Sequence, residues 1–98
     1  SKFTFEELCD KNLGSEDYSN LANICQHIFI YNVPSFTELN SNQQLRFINL
    51  IDVLYDRKIK LTLSLETRLE ILGSSKRHFD IFKRTISRLH EMTKVKNY

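Results

Sequence analysis

Glycine occurs only at positions 14 and 73 and proline only at position 34 in this 98-residue chain. Two isolated glycines cannot form a loop that cradles phosphate, and no GxxxxGK[ST], GxGxxG or GxSxG run is present. A conventional nucleotide cradle and a nucleophile elbow are therefore excluded within these residues. Serine, histidine and carboxylate all occur, but no elbow or cysteine–histidine signature sets a nucleophile apart, so hydrolysis by this chain alone is not expected. No apolar run approaches the roughly 18 residues of a membrane helix, and the N-terminus lacks the basic-then-apolar order of an export signal. Neither a membrane span nor export is expected. The chain opens on Ser1 rather than Met and enters its first pattern at once, as an excised piece would, so a fragment is expected.

Cysteine is also scarce. Cys9 and Cys25 without an export signal predict reduced, buried thiols. Cys25 and His27 are spaced to share one side of a strand, but no CxxC or HxxxH completes a tetrahedral set, and no metal is expected. The net charge of +2 does not indicate nucleic acid by itself. Charge is clustered, however: from Lys76 to the end, Lys76, Arg77, Lys83, Arg84, Arg88, Lys94 and Lys96 stand against only Asp80 and Glu91. That third reads as a solvated helix face and a charged tail in preference to a nucleic-acid site.

What is present describes one domain. An apolar share of 41% and a charged share of 27% suit a soluble chain with a single modest core over residues 1–98. Phe3 and Phe5 alternate with polar neighbours, as in a strand or extended lead-in that Leu8 closes. Leu13-Gly14 reads as a turn and Ser15 as a helix cap. Tyr18, Leu21, Ala22 and Cys25 form the stripe of a helix ending near Gln26. Ile28 to Tyr31 is continuously apolar and β-branched or aromatic, stopped by Asn32 and Pro34, which predicts a strand covered on both faces. Residues 35–44 are polar and mixed; residues 45–55 give the strongest helix signal, with Phe47, Ile48, Leu50, Ile51, Leu54 and Tyr55 in one arc. Residues 59–65 alternate as a half-buried strand. Residues 66–72 suggest a short helix ended by Gly73, residues 74–77 a mobile loop, and residues 78–92 a final helix with Phe79, Phe82, Ile86, Leu89 and Thr93 on its stripe. Strand, helix, strand in this order predicts an α/β fold, a small sheet with flanking helices.

Five blocks carry a resemblance: Phe3-x-Phe5-x-x-Leu8-Cys9; Leu13-Gly14-x-x-Asp17-Tyr18-x-x-Leu21-Ala22; Ile30-x-x-Val33-Pro34; Arg46-Phe47-Ile48-x-Leu50-Ile51-Asp52-x-Leu54-Tyr55-Asp56; and Arg84-Thr85-x-Ser87-Arg88-Leu89-x-Glu91-Met92. In this order and spacing they resemble the C-terminal region of the ZapE-type, AFG-like P-loop ATPases. Such proteins carry their Walker motifs N-terminal to these blocks, in a core related to AAA+ ATPases. The resemblance therefore implies a larger ATPase that uses ATP and Mg²⁺, with this chain as a C-terminal subdomain holding neither by itself. It further implies packing against the N-terminal ATPase core of the same protein, division-ring or other protein partners, and a bacterial cytoplasmic setting, the alternative being mitochondrial. Leu45 stands where the family pattern tends to have the first of two arginines.

Arginine is the residue type such a site would take from this region, because its fixed cationic fork can neutralise charge developing on a transferring phosphoryl group. Arg88 and Arg84 are the candidate catalytic residues, read as sharing one exposed helix face, and Arg46 is a weaker candidate for nucleotide binding. The competing structural reading is a surface ladder of these arginines with Asp80 and Glu91. Asp52 and Tyr55 read as fold support. A rival function is a freestanding protein- or nucleic-acid-interaction module using the basic last helix.

Overall fold

In the computed structural model, which describes residues 1–69 and 72–97, the alternating start of the chain splits into two elements. Strand β1 spans Lys2–Thr4 and helix α1 spans Phe5–Cys9. Thr4 makes the change of direction: its hydroxyl accepts from the Glu7 amide at 3.2 Å, while the Glu7 carboxylate accepts from the Thr4 amide at 2.8 Å. This reciprocal cap satisfies two donors that a helix start leaves open. Helix α2 spans Ser15–Ile24. Its cap residue is Gly14 rather than the expected Ser15: the Gly14 amide donates to the Asp17 carboxylate at 2.9 Å, and Ser15 is the first helical residue.

Strand β2 spans His27–Val33, so it continues past Asn32. Asn32 adopts a φ of 61°, and the register with the next strand shifts between Ile30 and Val33, an irregularity that bends the strand without ending it. A 3₁₀ turn over Glu38–Asn40 leads into helix α3, Ser41–Asp56, which begins four residues before the apolar arc. Strand β3 spans Lys60–Leu65, helix α4 Phe79–Met92 and strand β4 Thr93–Asn97. Thr93, expected on the stripe of the last helix, and Lys94 and Lys96, expected in a charged tail, instead belong to a strand whose backbone pairs in parallel with β3. Of the short helix expected over residues 66–72, Glu66 to Arg68 are not helical, and Glu70 and Ile71 lie outside the described residues.

The four strands run parallel in the order β1-β2-β3-β4, as the α/β expectation requires. Each connection advances one strand in the same direction, and right-handed crossovers of that kind put their helices on one face. Accordingly α1, α2 and α4 all contact α3. Ile28, Ile30, Leu61 and Leu63 are buried on that face, together with the rings of Phe5, Phe36, Phe47 and Phe82. Coverage of both faces of β2 is not observed: the alternate residues Phe29 and Tyr31 are only half-buried.

Two further expectations are corrected by packing. On α4 the buried stripe is Phe82, Thr85 and Leu89, whereas Phe79 is 52% exposed. The loop before α4 is pinned rather than mobile. The buried Gln44 side chain accepts from the Ser75 amide at 3.1 Å and hydroxyl at 2.7 Å, and donates to the Ser74 hydroxyl at 2.6 Å. The Gly73 amide donates to Ser35 Oγ at 2.7 Å, and its carbonyl accepts from the Phe36 amide at 3.1 Å. A β-carbon at position 73 would lie 2.7 Å from Ser35 Oγ and 3.0 Å from the Phe36 carbonyl oxygen. Gly73→Ala is therefore expected to destabilise the fold by about 1–3 kcal/mol in urea denaturation, and an unchanged midpoint would show that the two segments separate freely.

Candidate functional site

Helices α3 and α4 lie side by side, and their seam gathers charged residues from two of the sequence blocks. Asp52 and Tyr55 are three residues apart on α3, and Arg84, Arg88 and Glu91 are spaced by four and three on α4, so each set shares a helix face. Arg88 Nη1 donates to Asp52 Oδ1 at 2.5 Å, and Arg84 Nη2 lies 3.6 Å from Asp52 Oδ2. The Arg88 guanidinium also stacks over the Tyr55 ring at 4.6 Å, while the Tyr55 hydroxyl donates to Glu91 Oε2 at 2.8 Å. Hydrogen bonding to Glu91, and that residue's negative charge, push the Tyr55 phenol upward, which keeps it a neutral donor.

The two arginines therefore bond between helices, to Asp52, rather than forming a ladder with Asp80 and Glu91 along one helix. They also differ in freedom. The Arg88 side chain is 24% exposed and held by both a carboxylate and a ring, whereas Arg84 is 58% exposed and touches Asp52 only at long range. Their expected common exposed face is thus corrected for Arg88. Asp52, read above as fold support, is the hinge of this arrangement: spacing along α4 suggests partners on α4, and only the helix packing brings in a carboxylate from α3.

Arg46 is not part of this seam. It lies six residues before Asp52 on α3, about 9 Å along the axis and on another face. Its Nη1 donates to the Cys9 carbonyl at 3.1 Å, tying α3 to the end of α1. Beside it Tyr18 donates its hydroxyl to the Leu8 carbonyl at 2.7 Å. Cys9 and Cys25 are both free and buried. Burial pushes the Cys9 thiol up to about 12 and raises the Tyr18 phenol as well. The unfolded thiol loses its proton near its ordinary value of 9.0, so between there and about 12 the unfolded chain binds fewer protons than the folded one. Stability contributed by the protonated thiol is full below that window and is lost as pH rises through it. Thiolate absorbance from Cys9 is accordingly expected only once the fold melts at alkaline pH; its appearance near pH 9 in folded protein would contradict this.

At the carboxyl ends of the strands, where open α/β sheets bind ligands, lies a cleft of about 380 Å³ lined by Thr4, Glu6, Asp10, Asn32, Gln43 and Glu66. Its three carboxylates give it the wrong sign for a triphosphate, and no glycine contributes to its wall. These residues do not fit ATP. Among the described residues, no group of three or more His, Cys, Asp or Glu side chains is arranged to hold a metal ion, and no helix is long and apolar enough to cross a membrane.

The described residues form a parallel α/β unit with two arginines gathered on Asp52 at the seam of α3 and α4. The chain belongs to the AFG1-like ATPase family, whose model matches residues 1–98. It is similar to the Cell division protein ZapE of Escherichia coli K12, 36% identical over 90 residues that cover 91% of this chain and 24% of that protein. It is also similar to Lactation elevated protein 1 homolog B of Danio rerio, 35% identical over 69 residues that cover 70% of this chain and 14% of that protein. The chain thus spans about a quarter of the length of the bacterial relative. No solved structure matches it.

Proposed function

We propose that this chain is the C-terminal subdomain of a ZapE-like, AAA+-related P-loop ATPase that hydrolyses ATP with Mg²⁺ to act on protein partners in bacterial cell division, in the cytoplasm. The ATP is held by the N-terminal core of the same protein. This subdomain packs against that core and contributes an arginine to its nucleotide. Arg84 is the residue that reaches: its fork is exposed and weakly engaged, so it can leave Asp52 at little cost. Arg88 is a positioning residue, because its contacts with Asp52 and Tyr55 fix α4, and hence Arg84, relative to α3. The observation that carries this reading is the family match along the whole chain, joined to a seam that leaves one arginine exposed and only loosely paired. The similarity to ZapE over 91% of this chain supports the cell-division setting.

The test compares the 98-residue chain with the complete protein. Isothermal titration with Mg²⁺ and ATP is expected to give no binding tighter than about 1 mM for the chain alone, and steady ATP turnover for the complete protein. Micromolar Mg²⁺-ATP binding by the isolated chain, or no turnover by the complete protein, would overturn the reading.

A further inference from the structure

The sheet has a second face, opposite the helices, formed by the alternate residues of its strands. The register sets Lys2, Phe29 and Thr62 in one row, Thr4 beside Tyr31, and His27 beside Lys60. The rings run along β2: His27 and Phe29 are 4.5 Å apart, Phe29 and Tyr31 6.5 Å, and Lys2 Nζ lies 5.8 Å from the Phe29 centroid. Phe29, Tyr31 and Thr62 are half-buried, Lys2, His27 and Lys60 are exposed, and none of these positions carries a carboxylate. Ser64 follows Thr62 by two residues and so shares its face. It is buried, yet its Oγ has no hydrogen-bond partner among the described residues.

The half-buried rings of Phe29 and Tyr31 point to a missing cover. All-parallel sheets are stable with both faces covered, since each strand carries apolar residues on both sides, and here every crossover helix falls on one side. The lysines at the margin favour a partner with carboxylates at its edges. The chain also covers only 24% of its bacterial relative, so a full-length protein of that size has ample polypeptide to supply the cover. Stacking of nucleic-acid bases fits less well, because the Phe29 and Tyr31 rings are tilted 72° to each other and form no common platform.

We infer that this face of the sheet is the docking surface for an amphipathic helix from the remainder of the full-length protein, laid over Phe29 and Tyr31, with carboxylates toward Lys2 and Lys60. The inference rests on the reading of this chain as part of a longer ATPase. It assigns the surface through which the subdomain joins its core.

Single cysteines placed in the full-length protein by Thr62→Cys and, separately, by Tyr31→Cys provide the test, with maleimide labelling followed by peptide mass spectrometry. Both positions are expected to label at least about 10-fold more slowly in the native protein than in the same protein unfolded in urea. Lys60→Glu is expected to raise the rate at position 62 by about 3-fold or more, by repelling acidic margins of the cover. Labelling of both positions within about 2-fold of the unfolded rate would overturn the proposal. So would protection that grows with protein concentration, which means a second copy, or protection gained only on adding oligothymidylate, which means nucleic acid. ATP turnover measured on the same full-length protein separates the two claims: protection without turnover sinks the ATPase reading and keeps the docking surface, and turnover without protection does the reverse.

Discussion

Arg84→Ala in the complete protein is expected to lower ATP turnover by about 10³-fold, the lower end of what a phosphate-directed arginine contributes. Its melting temperature is expected to move by no more than about 2 °C, because an exposed pair at 3.6 Å contributes little to stability. Arg88→Ala carries a different signature. It removes the partner of Asp52 and the cation over Tyr55 together, so both turnover and stability fall. Arg84→Lys keeps the charge but loses the planar fork, and intermediate turnover is expected. Turnover unaffected by Arg84→Ala would remove that residue from the nucleotide site. A large loss of stability on the same substitution would make it a structural residue.

Phe47→Ala is expected to cost about 3–5 kcal/mol in urea denaturation, the usual range for a large aromatic lost from a closed core. Phe47 is fully buried on α3, and its ring lies 5.7 Å from Phe36 and 5.9 Å from Phe5. Phe36 in turn lies 5.4 Å from Phe82 on α4. Phe47 therefore joins α3 to α1 and to the segment after β2 directly and to α4 through Phe36, and none of these neighbours can fill its space without leaving its own position. Since a domain of this size is stable by only about 5–15 kcal/mol, the variant is expected to be largely unfolded at modest urea. Phe79→Ala is the control: half of that side chain already faces water, and a change within about 0.5–1 kcal/mol is expected. Equal effects at the two positions would show that the aromatic cluster is not the centre of the fold.

Much of the architecture was legible because periodicity reports burial directly. Residues 45–55 declared a helix and residues 59–65 a strand, and both formed with boundaries moved by a few residues. Misreadings fell where a local bond outweighed periodicity. The alternation of Phe3 and Phe5 suggests one strand or extended lead-in, but the reciprocal bonds of Thr4 and Glu7 put Phe5 into a helix. Gln44 looked like part of a polar connection, yet its amide meets Ser74 and Ser75 some thirty residues later and is fully buried. Polarity told of a need for partners and not of where they were. The candidate site was legible by type and not by arrangement: arginines at positions 84 and 88 stood out, while their partner Asp52 belongs to another helix.

By itself the sequence determined that these residues form an α/β unit lacking a phosphate cradle, because backbone period and glycine content are local properties. Tertiary structure alone decided that Asp52 holds Arg88 firmly and Arg84 loosely, that residues 93–97 pair as a fourth strand, and that among the described residues one face of the sheet stands without helices. These outcomes depend on which elements become neighbours, and in this fold that follows from crossovers that all step the same way.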